Sequence, residues 1–195
     1  MTTFDRREAI RRLAVGGAAV VGAPFWVEAL AGAAAEHAAR YQSQAAAAGW
    51  TPKVFTPAQN ELVIALTERI IPETDTPGAA KAGVNQFIDA VLADASPEVR
   101  RQFLDGLAWV DARSRRDHGV PFVQATEAQQ NALLTAISSR EPADDDRAGA
   151  DFFRALKPLT VTGYYTSEAG LLEEIGEARH LFFPEFKGCT HPEHS

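Results

Sequence analysis

The sequence contains a single cysteine among its 195 residues, and this scarcity limits the chemistry available to it. Cys189 cannot form a disulfide within the chain, and alone it cannot build a thiolate zinc site. Positive charge is also scarce, because the formal net charge is -7 at pH 7. A nucleic-acid-binding surface needs a basic face, so we expect no nucleic-acid partner. Outside the N-terminal leader, no apolar run approaches the roughly 20 residues of a membrane-spanning helix.

Several motifs of catalysis and cofactor binding are missing from the sequence. It has no Gly-x-Gly-x-x-Gly after a strand, no Cys-x-x-Cys-His, no Gly-x-Ser-x-Gly and no His-Glu-x-x-His. Glu173 and Glu177 share a helix face, but nothing near them in sequence supplies a nucleophile or an electrophile. A solvated acidic helix face is the simpler interpretation. We therefore predict a chain that is not an enzyme and holds no cofactor of its own.

The N-terminus resembles a targeting segment. Arg6 and Arg7 precede an apolar run over residues 13–26 that is rich in Gly and Ala. This pattern is typical of a twin-arginine signal, which exports proteins that have already folded. A second pair, Arg11 and Arg12, lies too close to the apolar run. The pattern predicts a periplasmic protein that engages the twin-arginine translocase, and an ordinary amphipathic N-terminal helix is the alternative.

Two sites in the leader have the small residues that signal cleavage requires, Ala29-Leu30-Ala31 and Ala31-Gly32-Ala33. The surrounding stretch is Ala-rich and helix-forming over residues 28–48, so an uncleaved leader is equally open. A Gly-Trp-Thr-Pro sequence ends that stretch, since proline disfavours helix in the residue before it. We therefore divide the chain into a leader with a connecting helix (1–50) and a helical domain (51–195).

The body of the chain has helical patterns throughout. Capping boxes at Thr56–Gln59 and Thr126–Gln129 predict two helix starts, with Pro57 at a first helical position. Residues 141–149 are acidic and predict a loop. No segment alternates with a period of two for long enough to indicate a strand. We predict an all-α, compact domain of about six to eight helices preceded by a signal helix.

The C-terminal stretch, residues 163–194, is dense in aromatic residues and carries three of the five histidines. So much aromatic surface must be buried, either against this chain or against another. For the tyrosines, the alternative is a core position with a hydrogen-bonded hydroxyl. The candidates for a partner interface are Tyr164, Tyr165, Phe182, Phe183, Phe186 and His191.

Cys189 lies close to His191 and His194 and admits three interpretations. A cysteine and two histidines are ligand types for zinc or copper, which makes a metal site one of them. An inert free thiol is another. An odd cysteine in an exported protein favours the third, a disulfide with a different chain.

Two sequence blocks resemble a known family. TVTGYYTSEAG (160–170) followed by FKGCTHPEH (186–194) is similar to the C-terminal signature of the gluconate 2-dehydrogenase subunit 3 family. LTERIIPETDTPGAAKAGVNQFID (66–89) is similar to its N-terminal signature, and the blocks occur in the family's order. The resemblance implies a small, non-catalytic subunit of a flavin-dependent sugar or glycoside dehydrogenase complex. Its large subunit would be of the glucose–methanol–choline type and hold FAD, often with a cytochrome c subunit.

On this interpretation the chain is the export carrier and the stabilising partner of the flavoprotein, and Cys189 is a candidate for a disulfide to it. Three alternatives remain open at the level of sequence. The chain is an enzyme in its own right, a periplasmic metal-binding protein that uses Cys189, His191 and His194, or a free-standing helical adaptor. The sequence leaves the sugar, the electron acceptor and the stoichiometry open.

Overall fold

The computed structural model describes residues 23–41 and 50–170, and this part of the chain contains helices and no strand. The all-α prediction is confirmed. None of the helices in these two ranges is both long enough and apolar enough to cross a membrane. The described residues form the α-helices α1 (Phe25–Tyr41), α2 (Pro57–Ile70), α3 (Val84–Asp94), α4 (Pro97–His118), α5 (Glu127–Ile137) and α6 (Arg147–Tyr165), and 3₁₀ turns lie at Phe122–Gln124 and Asp144–Asp146.

Both predicted capping boxes are present and set the starts of α2 and α5. The Thr56 hydroxyl accepts the Gln59 backbone N–H at 3.3 Å, and the Gln59 side chain accepts the Thr56 N–H at 2.9 Å. Thr126 and Gln129 repeat the arrangement at 3.4 and 2.9 Å. Each box satisfies two of the backbone donors that a helix N-terminus leaves without an intrahelical acceptor.

The acidic segment 141–149 is more ordered than the loop that its composition predicts. It forms the 3₁₀ turn and the first residues of α6. Asp146 is buried, and its carboxylate pairs with the Arg113 guanidinium on α4. Arg113 also hydrogen-bonds Asp117 and thereby holds the pKa of that carboxyl below its ordinary value. The Arg113 guanidinium, supplied by α4, compensates for the burial of Asp146, whereas Glu141, Asp144 and Asp145 stay exposed to solvent.

Helix α6 is the centre of the core, because it contacts each of the other five helices. Phe152, Leu156 and Leu159 on it are fully buried. The Phe152 ring packs edge-on against Phe103 of α4, with 5.1 Å between ring centroids. Gly106 allows this approach, since a Cβ there would lie 2.3 Å from the Phe152 ring.

Helix α1 lies N-terminal to residue 50 but packs into the same core. It contacts α6 most extensively and also touches α3 and α4. Val27, Leu30 and Ala34 are buried, and Leu30 has no exposed surface. The His37 Nε2 atom lies 2.9 Å from a carboxylate oxygen of Asp94, at the end of α3. The Ala-rich segment therefore supplies one face of the hydrophobic core.

A buried carboxylate holds the segment that precedes α2. Asp89 on α3 is 1% exposed and accepts three backbone N–H groups, from Lys53 at 2.8 Å and from Val54 and Phe55 at 3.0 Å each. Three donors compensate for the cost of taking the charge out of water. Asp89 thus fixes the segment that leads into α2.

Candidate partner interface at the end of α6

The two signature blocks are in contact near the C-terminal end of α6. The Tyr164 hydroxyl, on the last turn of α6, donates to the backbone carbonyl of Pro77 at 2.8 Å, although 87 residues separate them. One residue earlier, Gly163 packs on Phe87, and a Cβ on Gly163 would lie 2.7 Å from the Phe87 ring. The C-terminal block therefore rests directly on the N-terminal block.

The loop that receives Tyr164 is held by a carboxylate of the preceding helix. Glu68 accepts the backbone N–H groups of Glu73 at 2.8 Å and Ala80 at 3.0 Å. Gly78 is tightly enclosed, because a Cβ on it would fall 2.3 Å from a Glu68 carboxylate oxygen. Through these two hydrogen bonds, Glu68 stabilises the conformation of residues 72–80, which we call the signature loop.

Next to this loop, α6 presents two apolar side chains to solvent. Val161 is 37% exposed and Tyr165 is 39% exposed, and they lie one helical turn apart. The Tyr165 ring stands edge-on to Tyr164, with 5.3 Å between centroids and 88° between planes. A buried aromatic ring therefore fixes the orientation of an exposed one. Val161 and Tyr165 are named the α6 patch.

The signature loop adds negative charge to this end of the molecule. Glu73, Thr74 and Asp75 are all exposed. The Thr74 hydroxyl donates to the Asp75 carboxylate at 2.9 Å, and Lys81 forms an ion pair with Glu73. The arrangement places the half-exposed Tyr165 ring on α6, while the exposed charges of the loop are the Glu73–Lys81 ion pair and the Asp75 carboxylate. That combination suits protein recognition, in which aromatic contacts supply affinity and peripheral charges supply orientation.

A concave surface lies between α2 and the first 3₁₀ turn. It is an open groove of about 330 Å³ whose floor includes Ile64, Ala65 and Val123. Arg69 at its rim is engaged by Glu127 of α5, with 2.7 Å between nitrogen and oxygen. The exposed surface of the groove is mainly apolar, and Glu61, Glu68 and Gln130 also line it.

Within residues 23–41 and 50–170, no three or more His, Cys, Asp or Glu side chains are grouped to hold a metal ion. The carboxylates that are buried there serve structural partners, Asp89 a backbone segment and Asp146 a guanidinium.

The structure separates the two predicted tyrosines. Tyr164 is 1% exposed and occupies the core position with a hydrogen-bonded hydroxyl, whereas Tyr165 faces solvent. Sequence analysis missed Val161, although its spacing of four residues from Tyr165 was a usable signal. The remaining candidates lie outside the described residues; they are Arg6, Arg7, Phe182, Phe183, Phe186, Cys189, His191 and His194.

The described residues form a small all-α domain with a packed core, in which the two signature blocks are in contact. Residues 57–177, more than half of the chain, match the sequence model of gluconate 2-dehydrogenase subunit 3. The chain belongs to that family, and it is a small accessory subunit of a dehydrogenase complex. The matched span includes the block at 66–89 and the first half of the C-terminal signature, and FKGCTHPEH lies beyond it. No curated protein and no solved structure matches the chain.

Proposed function

We propose that this chain is the non-catalytic small subunit of a periplasmic, FAD-dependent sugar or glycoside dehydrogenase complex. It escorts the flavoprotein through twin-arginine export and then remains bound as a stabilising partner. FAD belongs to the large subunit, of the glucose–methanol–choline type; complexes of this family often include a cytochrome c subunit, and the electron acceptor is left open. The observation that carries the proposal is the family match over residues 57–177.

The geometry at the end of α6 supports the docking part of this proposal. Tyr165 is oriented by Tyr164, which is itself fixed by Pro77. A side chain that is already ordered loses little conformational entropy on binding, so more of its contact energy contributes to affinity. The other aromatic interface candidates, Phe182, Phe183 and Phe186, follow α6 in the sequence.

The leader supports the export part. A flavoprotein must fold around FAD before it leaves the cytoplasm, and the twin-arginine route moves folded proteins. A large subunit without a signal of its own therefore has to travel bound to a chain that has one. Arg6 and Arg7 supply that signal in this proposal.

Export can be tested with a matched pair of double variants. Replacing Arg6 and Arg7 with Lys keeps the charge but removes the guanidinium pair. We expect this chain and its flavoprotein partner to stay in the cytoplasm, as measured by dehydrogenase activity and immunoblots of cell fractions. The control replaces Arg11 and Arg12 with Lys and should leave export intact. A flavoprotein that still reaches the periplasm with the Arg6 and Arg7 variant contradicts the carrier role.

A further inference from the structure

We infer that the exported chain keeps helix α1, so that the small-residue sites at 29–31 and 31–33 are not cut. The inference rests on the proposed export function, because it concerns what happens to the leader afterwards. It goes beyond that function in assigning which part of the N-terminal region belongs to the mature protein. Helix α1 lies outside the matched family span, and the inference comes from its packing alone.

Both sites fall in the middle of α1, which runs from Phe25 to Tyr41. A cut after Ala31 or Ala33 would detach Val27 and Leu30 from the folded domain. Leu30 is fully buried and Val27 is 6% exposed, so their removal would open an apolar trench on α6. Loss of these side chains would lower the free energy of unfolding, because both the buried apolar surface and the packing around it are lost.

Cleavage at these sites would also disturb side chains on either side of the cut. Trp26, Ala29 and Ala33 pack against the core as partly buried residues. The remnant after Ala33 would retain Ala34 and His37 on a helix of two turns. Helices that short are marginal without tertiary support, so the remnant would lose much of its helical structure.

The folded helix also protects the two sites. A peptidase binds its substrate in an extended form, whereas the backbone groups around Ala31 are committed to helical hydrogen bonds. Access therefore requires α1 to unfold locally, and elements packed in the core open with free energies close to that of global unfolding. On the twin-arginine route the domain is folded before it crosses the membrane, so α1 is docked when it meets the peptidase.

The N-terminus of the exported protein decides the question. The full chain is produced with its flavoprotein partner, the complex is purified from the periplasmic and membrane fractions, and its small subunit is analysed by N-terminal sequencing and intact mass. We expect every chain to begin at or before Phe25. A chain that begins at residue 32 or 34, in any fraction, overturns the inference and leaves the carrier role standing. A wild-type chain held in the cytoplasm overturns the proposed export and this inference with it.

Two variants of α1 test the packing separately from processing. Leu30→Ala removes a fully buried side chain, and we expect the melting temperature of the purified complex's small subunit to fall by roughly 5–15 °C. Gly32→Ala is the matched control, because Gly32 is exposed and an added Cβ meets nothing within 4 Å. It should leave the melting temperature unchanged or raise it slightly. If Leu30→Ala behaves like Gly32→Ala, α1 is not docked as described and the inference fails.

Discussion

The Asp89 side chain fixes the backbone of the segment that precedes α2. Its carboxylate is buried and accepts three consecutive backbone N–H groups from residues 53–55. A neutral amide cannot replace it, because one of its two terminal atoms would be a donor facing another donor. Both carboxylate oxygens are therefore needed as acceptors in the fold.

Asp89→Asn is accordingly expected to be costly despite its small change in shape. Hydrogen bonds to a charged group are worth about 1.5–3 kcal/mol each, and we expect a loss of roughly 2–4 kcal/mol in the free energy of unfolding. Denaturant titration followed by circular dichroism measures it. Asp105→Asn on the exposed face of α4 is the control, with a change within about 0.5 kcal/mol. Equal effects of the two substitutions would mean that Asp89 is not the clamp described.

The adjacent tyrosines illustrate the limit of prediction at this scale. The sequence identified both as aromatic contacts but could not say which one faces the core. That assignment depends on the rotation of α6 about its axis and on a carbonyl acceptor at Pro77, 87 residues away. Neither is visible in the residues around position 164.

Among the elements, helix starts were the most predictable feature. Both capping boxes involve residues three apart, so the sequence contains all of the information that fixes them. The role of α1 was not predictable in the same way, because an Ala-rich helix has little apolar contrast between its faces. Its burial depends on the surfaces that α6 and α3 offer, and these form only in the folded chain.

The α6 patch gives a prediction about binding. Tyr165→Ala removes a half-exposed ring and its edge contact with Tyr164, so we expect a small fall in melting temperature, while the dissociation constant for the flavoprotein rises roughly 10- to 30-fold. Titration of the large subunit by calorimetry or biolayer interferometry measures this. Val123→Ala is the matched control, since Val123 is 40% exposed but lies at the open groove. Weakened binding in the Val123 variant alone would transfer the docking surface to the groove.

At the scale of the whole complex, the prediction concerns Cys189. It lies outside the described residues, and its disulfide to the large subunit remains a hypothesis from the sequence. Such a bond converts dissociation into a local opening, and loss of a native disulfide typically costs about 2–5 kcal/mol. We expect Cys189→Ser to retain dehydrogenase activity but to inactivate at a lower temperature. On a non-reducing gel, the wild-type complex should run as one band and the variant as two.

The competing interpretations of Cys189 give different results. A wild-type complex that separates without reductant, with Cys189 open to thiol labelling, contradicts the disulfide. Zinc or copper that copurifies with the wild type and is lost in the Cys189→Ser variant supports the metal site formed with His191 and His194. The carrier role is independent of both results, since it depends on the leader and the family match.

Helix α6 has a mechanical consequence for the assembled complex. It touches all five other helices, and the chain continues from its C-terminal end towards the aromatic stretch. A partner that binds this end therefore stabilises the central helix of the domain. Any other helix must lose its contact with α6 before it can detach from the core. Binding at one end should then slow amide hydrogen exchange in helices far from the contact. A restraint that the partner applies at the end of α6 is therefore transmitted to the whole domain through its central helix.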